Sequence, residues 1–156
     1  MMVKRGYFGI GIWHGKHDCN QGTMWRSAYS FGADFVFTVG ARFKRQASDT
    51  TKAWCHVPML HFADMDDLIS HLPYSCPIAG VELTEDSFDL KTFIHPDRCV
   101  YLLGAEDHGL SGSILDQCHL RVQIAPTKVC LNVSTAGSIV MWDRVSKRGV
   151  SERKAA

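Results

Sequence analysis

With 46% hydrophobic and 21% charged residues, a chain of 156 residues has the balance of one globular domain around a single core, which excludes a disordered protein. No run approaches the roughly 18 uninterrupted apolar residues of a membrane span. The formal net charge of +1 counts mildly against nucleic acid, whose binding domains more often show a clear basic excess. The start, Met1-Met2-Val3-Lys4-Arg5-Gly6, leads into a strand-like run with no signal-peptide core, so a cytoplasmic protein without membrane association is expected.

Arg5 to Ile12 (RGYFGIGI) reads as a buried strand. Asn20 is a good N-cap for the helix that follows, with Met24, Ala28 and Phe31 as its apolar stripe and Gly32 as its stop. Asp34 to Gly40 is a second apolar strand, Ala41 to Thr51 a basic connection, and His56 to Phe62 a further strand. Asp64 caps a short helix with inner face Leu68, Ile69 and Leu72, stopped by Pro73. Pro77 to Leu83 is a short strand and Glu85 to Asp97 an acidic, exposed link. Arg98 to Leu103 (RCVYLL) is a buried strand, Ser111 to Cys118 a small helix, and Leu120 to Ala125 a last strand. From Leu131 to Lys147, Val133, Ala136, Gly137, Val140, Met141, Arg144 and Val145 recur at helical spacing, and Gly149 closes that helix. Helices alternating with strands apolar on both faces predict a single α/β domain over 1–156 with a mainly parallel sheet.

The cysteines at 19, 55, 76, 99, 118 and 130 are scattered without a CxxC pair, so they read as free thiols and no metal site is expected. Cations gather at Arg42, Lys44, Arg45 and Lys52, and again at Arg144, Lys147, Arg148, Arg153 and Lys154. Each cluster alone reads as solvated surface.

The glycines of Gly9-Ile10-Gly11-Ile12-Trp13-His14-Gly15 lie inside a strand, with His14 where a dinucleotide fingerprint needs its third glycine. Close backbone packing explains them better than a phosphate loop. Three other segments carry candidate chemistry. In the first, Asn20-Gln21-Gly22 through Arg26, a guanidinium near a helix start suits a phosphate oxygen, although a surface arginine reads as well. In the second, Leu102-Leu103-Gly104-Ala105-Glu106-Asp107-His108-Gly109-Leu110-Ser111, a tight loop follows a buried strand, the end of an open α/β sheet where ligands sit. There Glu106 needs a partner if buried, and Arg26 is the expected one. In the third, Cys130-Leu131-Asn132-Val133-Ser134, Asn132 either caps the last helix or reaches across to the second segment.

In this order the three segments resemble the motifs of the SpoU/TrmH RNA ribose methyltransferases, and the likeness runs from about Arg5 to Arg148. The resemblance implies an α/β domain with helices on both faces and a C-terminal trefoil knot. It implies a homodimer that moves a methyl group from S-adenosylmethionine to a ribose 2′-hydroxyl of tRNA or rRNA. By motif position Arg26 is similar to the family's catalytic arginine, with Asn20 beside it, Glu106 to the second-motif glutamate and Asn132 to the third-motif asparagine. The same resemblance assigns the cofactor to Gly104, Ile124, Cys130 and Leu131, with Gly80 bordering the pocket. Serine is common in the family where this chain has Cys130, and a thiol is the poorer hydrogen-bonding group. That departure, with the near-neutral charge, supports the alternative of a non-catalytic knotted module that binds RNA or a nucleotide.

Overall fold

The computed structural model describes residues 6–44 and 51–149. Its frame is β1 (Tyr7–Trp13), which pairs in parallel with β2 (Phe35–Val39) on one side and β6 (Arg98–Leu103) on the other. Gly9 and Gly11 exist for that pairing: a Cβ on either would overlap the ring of Phe35 or Phe37 from β2. The glycine run is thus packing, as its position inside a strand predicts.

Outward from this centre lie β3 (Met59–Phe62), β4 (Ile78–Val81), β7 (Leu120–Gln123) and β5 (Phe88–Asp89), in the order β3-β2-β1-β6-β4-β7-β5. Every pairing is parallel, so all strands end on one edge. Helices α1 (Asp18–Phe31) and α4 (Val133–Arg148) bury Met24, Ala28, Val140 and Met141 on one face. On the other, α2 (Met65–Ser70) and α3 (Gly112–Leu115) bury Met65, Leu68, Ile114 and Leu115. The expected α/β architecture with helices on both faces is the one observed.

Caps and boundaries follow local chemistry. Asp64 accepts from the Asp67 amide at the start of α2, and Gly32 ends α1 with φ 75°. Three expectations need correction. Asn20 is not a cap: α1 begins at Asp18, and Asn20 lies in its first turn with its amide drawn elsewhere. Ile69 faces outward, and Met65 takes the inner row with Leu68. Residues 85–97 are not a solvated link, because they carry β5 and bury Leu90, Phe93 and His95.

The C-terminal cations explain that burial. Arg144 is 3% exposed and donates to Pro96 O (2.8 Å), Asp97 O (2.9 Å) and the Tyr101 hydroxyl (3.0 Å), with its guanidinium over the Phe8 ring. A buried charge is tolerable only with such partners. Lys147 donates to the carbonyls of Leu90 and Phe93, and Arg148 to that of His95. These cations therefore staple the 90–97 segment to α4 instead of forming a solvated patch. Arg153 and Lys154, like Arg5 and Arg45, lie outside the described residues.

His95 sits inside this network, its Nδ1 2.6 Å from the Tyr101 hydroxyl and its Nε2 2.8 Å from the Asp143 carboxylate. Burial pushes its imidazole below the ordinary histidine range, against the opposing pull of Asp143. The unfolded chain, titrating near 6.5, takes up this proton first as pH falls. The stabilisation is therefore complete above about pH 6.5 and is lost on acidification below it. Urea midpoints measured at pH 7.5 and 5.5 should fall for the wild type and fall less for His95→Gln.

Candidate active site

β6 ends at Leu103 on the edge where all strands terminate, and the chain turns back on itself there. Ala105 bridges to Gly109, and a Cβ on Gly104 would overlap the backbone of Gly109, so this turn closes only around two glycines. Gly109 adopts φ 59° with the Glu82 carboxylate against it. Glu82, just past β4, accepts from the amides of Leu110 (2.8 Å) and Leu83 (3.1 Å), binding the turn to the neighbouring strand. Sequence reasoning missed Glu82. Its signal was a lone acid following the apolar run of β4, at the ligand end of a parallel strand.

A cavity of about 300 Å³ opens at this edge. Its walls come from Val81 at the end of β4 with Glu82 and Leu83 after it, from Leu103 and the 104–109 turn after β6, and from Ile124 and Thr127 after β7. Cys130, Leu131, Val133 and Ala136 close it at the start of α4. Gly104, Ile124, Cys130 and Leu131 are all among the lining residues. Gly80 is not: it lies within β4, where a Cβ would meet Leu115 and Cys118 on the α3 face (3.0 and 3.1 Å). The residues after it form the wall instead.

Asn20, Glu106 and Asn132, far apart in sequence, form one chain of hydrogen bonds beside the cavity. Asn20 Nδ2 donates to Glu106 Oε1, and Asn132 Nδ2 donates to Asn20 Oδ1 at 3.0 Å. Asn132 also caps α4, its Oδ1 accepting from the amides of Ser134 (3.0 Å) and Thr135 (3.2 Å). Both readings of Asn132 hold at once, because its oxygen caps while its nitrogen reaches across. Lys16 adds a backbone amide to Glu106 Oε2 and its ammonium pairs with Asp107, tying the β1–α1 loop to the same turn.

Burial pushes the Glu106 carboxyl up, but the hydrogen bond from Asn20, helped by backbone amides and His17, outweighs it and leaves the group below the usual glutamate range. The carboxylate is therefore ionised at neutral pH and sits on the cavity wall.

Arg26 does not join this group. Six residues after Asn20 it lies about 240° around the helix, on the exposed face, and Glu106 takes Asn20 as its partner instead. The expected Arg26–Glu106 pair is corrected on that ground: Arg26 and Asn20 share a helix but not a face.

The cavity fits a ligand that is part apolar and part cationic. Leu103, Ile124 and Leu131 supply apolar wall, Glu82 and Glu106 supply carboxylates, and the glycine turn allows close approach to the backbone. Gly104, Ile124, Cys130 and Leu131 could hold such a ligand there.

The model of the SpoU rRNA Methylase family matches residues 10–142. A Staphylococcus epidermidis protein named as a TrmH family tRNA/rRNA methyltransferase is 27% identical over 143 residues, which is 87% of this chain and 57% of that protein. The mouse tRNA (guanosine(18)-2'-O)-methyltransferase TARBP1 is 31% identical over 68 residues, 42% of this chain and 4% of its own length. The chain thus spans little more than half of one curated relative and a small fraction of the other. The SpoU methyltransferase AviRb from Streptomyces viridochromogenes, solved with AdoMet, superposes with a TM-score of 0.82 at 18% identity, covering 92% of this chain and 58% of that one. That likeness is one of fold.

Removing the Asn20 amide exposes the balance on Glu106. In Asn20→Ala the Glu106 carboxyl should titrate at higher pH than in the wild type, read by carbon-detected NMR of the side chain. An unchanged titration would take Asn20 out of that balance.

Proposed function

The chain belongs to the SpoU rRNA Methylase family, and we propose that it transfers a methyl group from S-adenosylmethionine to a ribose 2′-hydroxyl of tRNA or rRNA. The observation that carries this reading is the Glu106–Asn20–Asn132 relay beside the strand-end cavity, which joins all three candidate segments.

When bound, S-adenosylmethionine supplies an electrophilic methyl group on a sulfonium. The chain's own part is alignment, because an in-line displacement needs the hydroxyl held on the carbon–sulfur axis. The glycine turn and the residues of the 130–133 segment hold the donor, and the walls of the cavity exclude water. Glu106, fixed by Asn20, faces the donor as an ionised group. Arg26 orients a ribose or phosphate oxygen through its guanidinium.

Since Arg26 lies on the outer face of α1, it serves the cavity of a second copy in a homodimer. Ser138 Oγ donates to Ser27 Oγ at 2.8 Å, joining α4 to α1, and one turn further Trp142 is 58% exposed. A large exposed indole on the helix beside Arg26 supports an interface between two copies there. Trp142→Glu should shift the sedimenting species from dimer to monomer.

The resemblance also supports a C-terminal trefoil knot, one of the rare exceptions to unthreaded chains. A crystal structure tracing 104–149 as an unthreaded segment would end that part of the reading. Among the described residues no helix is long and apolar enough to cross a membrane. The free cysteines support a cytoplasmic setting, checked by fractionating cells that express a tagged chain.

Incubation with methyl-labelled cofactor and total RNA tests the activity. Labelled RNA is expected, with the mark resistant to alkali at the modified ribose. Arg26→Ala should abolish transfer while cofactor binding persists by calorimetry. Cofactor or RNA binding without any label would favour the non-catalytic module to which Cys130 points.

A further inference from the structure

The exposed side of α1 away from α4 carries features that the cavity does not use. Tyr29 and His56 stack with ring centroids 4.4 Å apart and planes within 10° of parallel. Tyr29 remains 40% exposed and Trp54, two residues before His56, 36% exposed. The short 3₁₀ turn Ala53–Cys55 that presents them is held firmly: Ala53 is fully buried, and the Trp25 indole donates to Val57 O at 2.8 Å.

Cations flank this platform. Lys52 precedes the turn and is exposed. Exposed Arg42 and Lys44 sit nearer the start of α1, where the Lys44 amide donates to Asp18 and the ring of Phe43 packs on Trp25 at 5.8 Å. From Asp18 to Phe62 the acids among the described residues are Asp18, which accepts from the Lys44 amide, and Asp34, whose carboxylate is turned inward to the Phe8 amide. A domain of nearly neutral net charge therefore keeps one flank basic.

We propose that this flank is a track for single-stranded RNA running from the cavity along α1, with phosphates on Arg42 and Lys44 and one base stacked on the Tyr29–His56 pair, next to the turn that carries Trp54. The start of α1 abuts the rim, since Lys16 just before it contacts Glu106 and Asp107, and Asp18 to Tyr29 spans about 16 Å. Nucleic acid fits the surface better than a protein does: phosphates answer the cations that a protein would have to desolvate, and every base has a face to stack. The inference rests on the RNA reading above, while its binding half stands without methyl transfer.

Anisotropy with a labelled 12-nucleotide single-stranded RNA of mixed sequence tests it. Tyr29→Ala and Trp54→Ala should each weaken binding about 10-fold, and Tyr29→Phe should restore it. The double variant Arg42→Ala with Lys44→Ala should lower the slope of log affinity against log salt by about 1.4, the value for two phosphates on a single strand. Cofactor affinity should stay unchanged in all of them. Wild-type RNA affinity in both folded aromatic variants, judged by circular dichroism, would overturn the track, as would a wild type that binds no RNA but captures a protein through Tyr29. If no RNA is ever methylated yet binding still depends on Tyr29 and Trp54, the activity falls and the track stands.

Discussion

One primary amide holds the site together. Asn20 must present its nitrogen to a carboxylate and its oxygen to a second amide, and a single orientation meets both demands. The three elements that end at this point, α1, the turn after β6 and the start of α4, are positioned relative to one another by that constraint. A residue with two equivalent oxygens, or with none, leaves one neighbour unanswered in a half-buried place, where an unmet polar group is costly.

The relay works only because the sheet delivers its participants to one edge. Seven strands running the same way put every strand end, and every helix start on the α1–α4 face, at that edge. The opposite end of α4 is locked in a different manner, by a guanidinium and an ammonium that satisfy carbonyls of the 90–97 segment. One end of the helix therefore borders the cavity and the other anchors the 90–97 segment.

Much of this was legible in the residues. Apolar runs such as RCVYLL mark strands whatever surrounds them, and β6 spans the six residues expected. Gly104, Ile124 and Leu131 reach the cavity because glycine turns and strand ends keep their place in an α/β fold. What could not be read was direction. Arg26 and Asn20 stand in one motif, yet six residues turn a side chain to the far side of a helix. Gly80 misses the pocket because alternation along a strand sends it to the other face. Burial of Arg144 and His95 was equally hidden, since charge in a sequence looks solvated until its partners, here backbone carbonyls and a tyrosine hydroxyl, come together in space.

Glu82 carries a consequence of its own. By spending both carboxylate oxygens on the amides of Leu83 and Leu110, it sets the shape of the glycine turn from within the protein. The contour of the recess is inherited from the scaffold, so a guest entering it has little backbone left to order. Selectivity at such a doorway resides in the guest's outline more than in any accommodation by the host.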